Sequence, residues 1–382
     1  CSLIRMTISL TTSENLTEHI HDIKILDIPF THKGNAAIHC ITGSGYEIEW
    51  PPLSFKPWSQ AIEKNKPVIL DSDRDGRSSN SYVPIFLLDF GQNGVWSGPE
   101  YSGCWDMSAS QNDEKVKLTI GMPTFDFVMR PNETIELPAV ALGPYSGPVE
   151  DGFNHIRKII HRHYLPEVSG KKPDPIVYFQ GYNGHPSYQD EETMYREVDR
   201  AALAGCEAFV LDGGWNNTPD NLGWWYTVGS WDNPGRFKSG VKKFGDYVKS
   251  KGIRFGIWME PRAGDGSTIQ KKHPELCVDT LFDLGNPDGE KLFVDTLSYL
   301  IEDLGADFIW IDYNVVPRRD IWDNREQPDR KGLMELGFYK GWYRAIETIF
   351  KKHPNVWIES CASGGRIIDL AQLRLSHSIW VN

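Results

Sequence analysis

From residue 176 onward, short apolar runs alternate with stretches of helical period. IVYFQGYN (176–183), EAFVLDGGW (207–215), RFGIWMEP (254–261), LFDLGNP (281–287), FIWIDYN (308–314), NVWIESCASGG (355–365) and HSIWVN (377–382) are the runs. Each is near-continuously apolar and ends in polar or glycine residues, the pattern of a strand buried on both faces. Between them, apolar residues recur at helical spacing: Met194, Val198 and Ala201; Val241, Phe244 and Val248; Phe293, Leu297, Leu300 and Ile301; Phe338, Trp342, Ile346 and Ile349. Gly205 and Gly252 close two of these helices. Strand–helix alternation predicts a parallel sheet, here of seven strands.

The first 150 residues follow a different rule. YEIEW (46–50), PVIL (67–70), YVPIFLLDF (82–90), KVKLTIGM (115–122) and TFDFVM (124–129) are short, rich in β-branched and aromatic residues, and separated by Gly, Pro, Asn and Asp. They predict an antiparallel β-sandwich. The stretch Asp71 to Gly76 matches the start of a calcium-binding loop, but position twelve is Tyr82 where a bidentate Glu is needed, so a solvated hairpin loop is expected. A basic helix over 152–166 and a hydrophilic link (167–175) join the halves. The expected domains are therefore a sandwich (1–150), a connector (151–175) and a strand–helix domain (176–382).

An open doubly wound sheet would carry a Gly-rich phosphate loop after its first strand, and none is present. A TIM-type (β/α)8 barrel is the expected architecture, counted here to about seven strands. Polar groups gather at the C-terminal strand ends, where barrels keep their chemistry: Asn183, Asp212, Glu260, Asp283, Asp312 and Glu359.

Composition narrows the partner. The net charge of −12 argues against nucleic acid or an anionic membrane surface. Fourteen Trp in an acidic chain fit either carbohydrate, whose apolar faces stack on aromatic rings, or the packing of a large core. The six cysteines are scattered, no run of 18 apolar residues occurs, and no His lies at a strand end, so neither a zinc site, a membrane span nor a cofactor is expected. The compartment and the assembly state, a homo-oligomer included, stay open, with a soluble cytoplasmic protein favoured over a secreted one. A mouth lined by carboxylates and tryptophans suits glycosidic bond cleavage, which uses two carboxyl groups. By residue type the candidates are Asp212, Glu260, Asp312 and Glu359.

The second half resembles the α-galactosidases of glycoside hydrolase family 36, in clan D. Leu211-Asp212-Gly213-Gly214-Trp215 resembles the family's L-D-D-G-W, and Trp258-Met259-Glu260-Pro261 its W-x-E-P. Leu284-Gly285-Asn286-Pro287, Ile311-Asp312-Tyr313-Asn314 and the run from Glu359 to Arg366 follow in the family's order. The resemblance implies a retaining glycosidase that cleaves terminal α-linked sugars from an oligosaccharide or glycoside, with Asp312 as nucleophile. It implies that Asp212 binds sugar hydroxyls and that Trp215 and Trp258 wall the sugar. It implies close backbone approach at Cys361, Gly364 and Gly365, and Arg366 near the acid/base. Trp310, where the family has Lys, and Asn314 fall beside the nucleophile.

Three departures put the sugar in question: Gly213 for the second Asp, Trp310 for the Lys, and Ser230 in the family's G-D-W. Losing buried hydrogen-bonding charges changes which hydroxyl pattern is accepted. A glycosyl-transferring enzyme, another clan D α-glycosidase, and a non-catalytic sugar-binding relative are the alternatives. Trp380-Val381-Asn382 aligns with W-T-S of the family's W-T-S-D, so the acid/base and an eighth strand are expected after residue 382, the chain being a fragment.

Overall fold

The structure, a computed structural model, describes residues 3–32, 34–45, 54–73, 75–112, 114–181, 190–216, 224–233, 235, 237–314 and 319–381. The segment 46–50, Asn183 and Asn382 lie outside the described residues.

Two antiparallel sheets form the first half. One runs, in spatial order, Ile4–Met6, Ala139–Ser146, Asn93–Glu100, Phe86–Asp89, Ala37–Ile41 and Pro57–Ala61. The other is built on the long strand Lys115–Phe127, flanked by Asp106–Asn112 and Ile20–Thr31, with Val68–Asp71 beyond. Ile38, Phe86 and Leu88 of the first sheet and Met107, Leu118 and Ile120 of the second are fully buried in one core. The alternation of side chains across each strand supplies these inward faces. KVKLTIGM and TFDFVM are one strand rather than two, and its register against Ile20–Thr31 slips between Met122 and Asp126. Pro123, which has no N–H to give the ladder, lies within that slip.

The connector is the helix Val149–Ile159 continued by a π-turn, Ile160–Tyr164. Beyond it, six parallel strands pair in sequence order: Tyr178–Gln180, Ala208–Leu211, Arg254–Met259, Phe308–Ile311, Trp357–Ser360 and Ser378–Ile379. Strands of four to six residues, buried at nearly every position, need helices on the other face. These helices are Glu191–Leu203, Val241–Ser250, Pro287–Glu302 and Leu333–Lys352, and they bury the apolar residues anticipated from the spacing, Ile301 only in part. Asp190 caps the first by accepting from Thr193 N, and Asn286 caps the third by accepting from Asp288 N, with Pro287 in its first turn. The sheet curls into a half-barrel: Tyr178, on the first strand, donates its hydroxyl to Glu359 on the fifth, and its ring centroid lies 6.4 Å from that of Trp380, past the sixth.

The expected fourth strand is not in this sheet. Leu281–Phe282 pairs antiparallel with Cys277–Val278 as a small hairpin, and Arg254–Met259 pairs directly with Phe308–Ile311. A tight turn with Asp279 in the left-handed region folds the segment back, so its peptide groups are taken by the hairpin. The parallel sheet therefore has six strands among the described residues, not seven.

The two halves interlock. Arg330–Lys331, from the second half, extends the second sandwich sheet by pairing with Asp126 and Phe127. Glu335, on the helix Leu333–Lys352, is fully buried and accepts from Cys104 N at 2.9 Å and Thr124 Oγ1 at 3.3 Å in the sandwich. Arg319 Nη1 meets it at 3.0 Å. Burial pushes this carboxyl up to about 7, and the guanidinium opposes the shift. Removing one partner of a buried ion pair is far more damaging than removing both. Arg319→Met should lower stability at pH 8 by about 3 kcal/mol in urea denaturation, and the double variant Arg319→Met, Glu335→Leu should recover much of that loss.

Candidate active site

Register fixes which side chains share the inner face. Trp258, Trp310, Glu359 and Ser378 lie in one row across neighbouring strands. Two residues further along each strand, on the same face by the period of two, stand Glu260, Asp312 and Cys361. Trp258 and Trp310 thus lie beneath Glu260 and Asp312.

Asp312 is 6% exposed. Its Oδ1 accepts Tyr313 N at 2.8 Å and Ser363 N at 3.0 Å; its Oδ2 accepts Trp258 Nε1 at 3.3 Å. The Cys361 thiol also hydrogen-bonds this carboxylate, while burial pushes that thiol well above its ordinary range. Ser363 N reaches Asp312 because Ala362, Ser363, Gly364 and Gly365 all take positive φ (67°, 51°, 79° and 100°). Left-handed backbone at two non-glycine residues costs roughly 1–2 kcal/mol each. A hydrogen bond to a carboxylate contributes about 1.5–3 kcal/mol, and Gly365 N to Cys361 O (3.0 Å) adds another bond, so the turn is affordable only while it holds the acid. At Gly365 a Cβ would sit 2.8 Å from the Phe55 ring, which reserves the position for glycine.

Asp212 follows the second strand. Gln180 Nε2 donates to its Oδ2 and Gly213 N to its Oδ1. Burial and then the charge of Asp312 push it up to about 7, against those two donors. Glu260 is fully buried; its Oε1 accepts Asn314 N at 3.1 Å, and its Oε2 has no partner among the described residues. Burial, then Asp312, push it up to about 8. Two acids inclined to hold protons beside one clothed in N–H donors is how a site divides roles among like groups. Glu359 is raised by burial and is tied to Ser378 Oγ and Tyr178 Oη, so it braces strands. Asp283 stands apart, lining a separate cavity of about 430 Å³ with Asn286, Arg325 and Arg330.

The indoles split in two. Trp215 is fully buried and donates to Trp258 O at 2.9 Å, with Trp231 stacked at 6.2 Å; it backs Trp258 rather than facing the acids. Trp258 touches Asp312 directly. Trp310 is 2% exposed, lies 5.3 Å from Trp380, and its buried indole N–H finds no partner among the described residues. A Cβ at Gly213 would stand 3.3 Å from the Trp258 ring. Asn314 is half-buried and gives its N–H to Glu260. Gly364 N donates to Cys361 Sγ at 3.4 Å. Arg366 turns to Asp75, at 3.7 Å, a residue of the sandwich.

That last contact corrects the expected solvated hairpin loop at 71–82. Its residues from Gly76 to Asn80 are buried against the second half. Ser79 Oγ donates to Gly365 O at 2.7 Å and Ser78 Oγ to Asp369 Oδ2 at 2.6 Å. Small hydroxyl residues with donors for exposed carbonyls fit a loop docked on another backbone, and the sequence pattern held no sign of the surface 290 or so residues away. Gln180, Tyr178 and Ser363 were likewise missed as site neighbours; only Ser363, inside the Glu359–Arg366 run, carried a signal. Among the described residues, no group of three or more His, Cys, Asp or Glu side chains could hold a metal ion.

A half-barrel of parallel strands, with a donor-clad carboxylate at the C-terminal end of its fourth strand and indoles beneath, has the arrangement of an α/β-barrel site. The sequence model of the Melibiase family matches residues 149–382, and the chain belongs to that family. It is 24% identical over 335 residues to an α-galactosidase of Lactobacillus acidophilus, covering 80% of this chain and 44% of that protein. It is 26% identical over 339 residues to the Escherichia coli α-galactosidase, covering 81% and 46%. The chain thus spans about half the length of these curated relatives. Its fold is similar to the α-galactosidase structure from Lactobacillus brevis (TM-score 0.81, 19% identity, covering 100% of this chain and 52% of that one). It is also similar to a Geobacillus stearothermophilus family 36 α-galactosidase in complex with stachyose (TM-score 0.79, 19% identity, 93% and 51%).

Glu260 generates a pH prediction. Its folded-state acidity is weaker than the ordinary value of 4.5, so its stabilising contribution is full below that value and is lost as pH rises through about 8. Glu260→Gln should flatten the fall in Tm between pH 5 and 9 and melt higher than wild type at pH 9, read by calorimetry across that range.

Proposed function

We propose that this chain carries the sugar-binding and nucleophilic part of a retaining α-glycosidase of α-galactosidase type. The observation that supports it most is the hydrogen-bonding of Asp312: Oδ1 accepts two backbone N–H groups, while Oδ2 accepts one long indole bond. Oδ1 is thereby committed to holding charge and Oδ2 keeps the lone pair for attack at the anomeric carbon. In this reading Oδ2 forms a bond to that carbon as the glycosidic oxygen leaves with a proton, and water then displaces the carboxylate. The proton comes from a second carboxyl acting as general acid. Asp212, balanced near neutrality, offers one oxygen as acceptor and one as acceptor or donor to sugar hydroxyls. Trp258 walls the ring, Trp215 backs it, and the backbone at Cys361, Gly364 and Gly365 lies close to the sugar. Asn314 and Arg366 border the site. The substrate class is an α-linked oligosaccharide or glycoside, as in the stachyose complex of the Geobacillus enzyme.

The sugar accepted is proposed to differ from galactose as the relatives bind it. Trp310 offers a stacking face and one N–H donor, and Gly213, close against the Trp258 ring, offers no side chain, where the resemblance has charged partners for hydroxyls. Sites built to hydrogen-bond a hydroxyl discriminate strongly against its absence, and a site without those partners does not.

Incubating the full-length protein with fluorinated α-glycosyl fluorides, which need no acid to leave, should attach the sugar to Asp312, located by peptide mass spectrometry. Labelling of any other residue overturns the nucleophile assignment. Asp312→Ala should lower turnover of aryl α-glycosides on the order of 10⁴-fold or more. A panel of such glycosides should show Trp310→Lys combined with Gly213→Asp moving preference toward α-galactosides. An unchanged ranking would remove these two positions from the specificity.

A further inference from the structure

Arg77 sits in the sandwich half, 236 residues from Tyr313, yet its guanidinium ends at the strand that carries Asp312. Its side chain is 3% exposed. Nη1 donates to Tyr313 O at 3.1 Å and to Asn314 O at 3.3 Å, the two carbonyls that follow Asp312. Nε and Nη2 face Asp75, whose Oδ2 is 2.8 Å from Nη2. Asp75 in turn accepts Arg319 N on its carbonyl at 3.1 Å and stands 3.7 Å from Arg366. Four of the guanidinium's five N–H groups are thus placed: Nε and Nη2 on a carboxylate, and Nη1 on two successive peptide oxygens.

Those carbonyls matter because of the groups beside them. The Tyr313 N–H is the 2.8 Å donor to Asp312 Oδ1. The Asn314 carbonyl also accepts Ser363 Oγ at 2.7 Å, and Ser363 N is the second donor to Oδ1. Holding the two carbonyls therefore holds the plane of the Tyr313–Asn314 peptide, whose N–H goes to Glu260, and, through the Asn314 carbonyl, the position of Ser363. These set the rotation of the Asp312 carboxylate, and with it the direction of Oδ2. A planar, always-charged fork can span both oxygens while anchored at its other edge; an ammonium cannot.

We infer that Arg77 is a positioning residue for Asp312, supplied to the barrel site by the sandwich domain; the inference rests on the nucleophile reading above. The sandwich is then part of the reaction machinery and not merely a neighbour of it.

The test follows the rate at which a fluorinated α-glycosyl fluoride labels Asp312 in the full-length protein, as a function of probe concentration. Misplacing a reacting group by about 1 Å costs roughly 10²-fold in rate. Arg77→Ala should lower the saturating labelling rate by about 10- to 100-fold, with half-saturating probe concentration changed less than about threefold. Millimolar guanidinium, filling the vacated fork, should restore part of the rate, and Arg77→Lys should lie between. Should Arg77→Ala fail to fold, Asp75→Asn unhooks the guanidinium while leaving it in place, and an intermediate loss of rate with unchanged half-saturation is expected. Wild-type labelling rates in either folded variant would overturn the inference, as would a loss of rate and affinity together that guanidinium does not restore. If the wild type itself is not labelled at Asp312, the nucleophile reading fails first and this inference with it.

Discussion

A carboxylate withdrawn from water keeps its charge only where donors replace the water it lost. Asp312 is withdrawn from water, and its donors come from separate parts of the chain: an indole from the preceding strand, its own following peptide, a peptide of the loop after the fifth strand, and a thiol beside that loop. None of these donors is a long flexible side chain. Each is placed by backbone, so the carboxylate's geometry is as rigid as the sheet beneath it. The run of left-handed residues from Ala362 to Gly365 makes sense only as part of this arrangement, since it strains the chain to aim one N–H.

The same need for partners explains why two domains act as one body. The sandwich inserts Ser78 and Ser79 into the loop Arg366–Asp369, and the second half returns a strand to the sandwich at Arg330–Lys331. Glu335 is fully buried at the junction with ligands from both sides. Buried ionic groups are poor sources of net stability, yet they tolerate little misalignment, because a displaced partner leaves an uncompensated charge. They therefore hold the sandwich in one position on the half-barrel.

Around Asp312 the other acids are set apart by environment. Burial and the neighbouring charge hold both Asp212 and Glu260 toward the protonated form, against the donors each accepts. The indoles of Trp258 and Trp310 add no charge beneath Glu260 and Asp312.

Much of this was legible in the residues themselves. Strand and helix identity followed from periodicity because burial on one or both faces demands it, as Val241, Phe244 and Val248 illustrate. The strand ends carrying Asp212, Glu260 and Asp312 were visible because apolar runs stop where the sheet does. The segment at Leu281 misled, because an apolar pair with a turn reads alike whether it joins a sheet or folds on itself. Trp215 and Trp258 were alike in sequence, and only packing separated the indole that touches Asp312 from the one that backs it. The chain by itself determined the local elements and the chemical inventory, since these depend on near neighbours. Tertiary structure decided which donors clothe Asp312, that Arg77 reaches its strand from the other domain, and that the loop around it is docked rather than solvated. Hydrogen bonds across hundreds of residues leave no periodic trace in a sequence; they exist only once the backbone has brought their ends together.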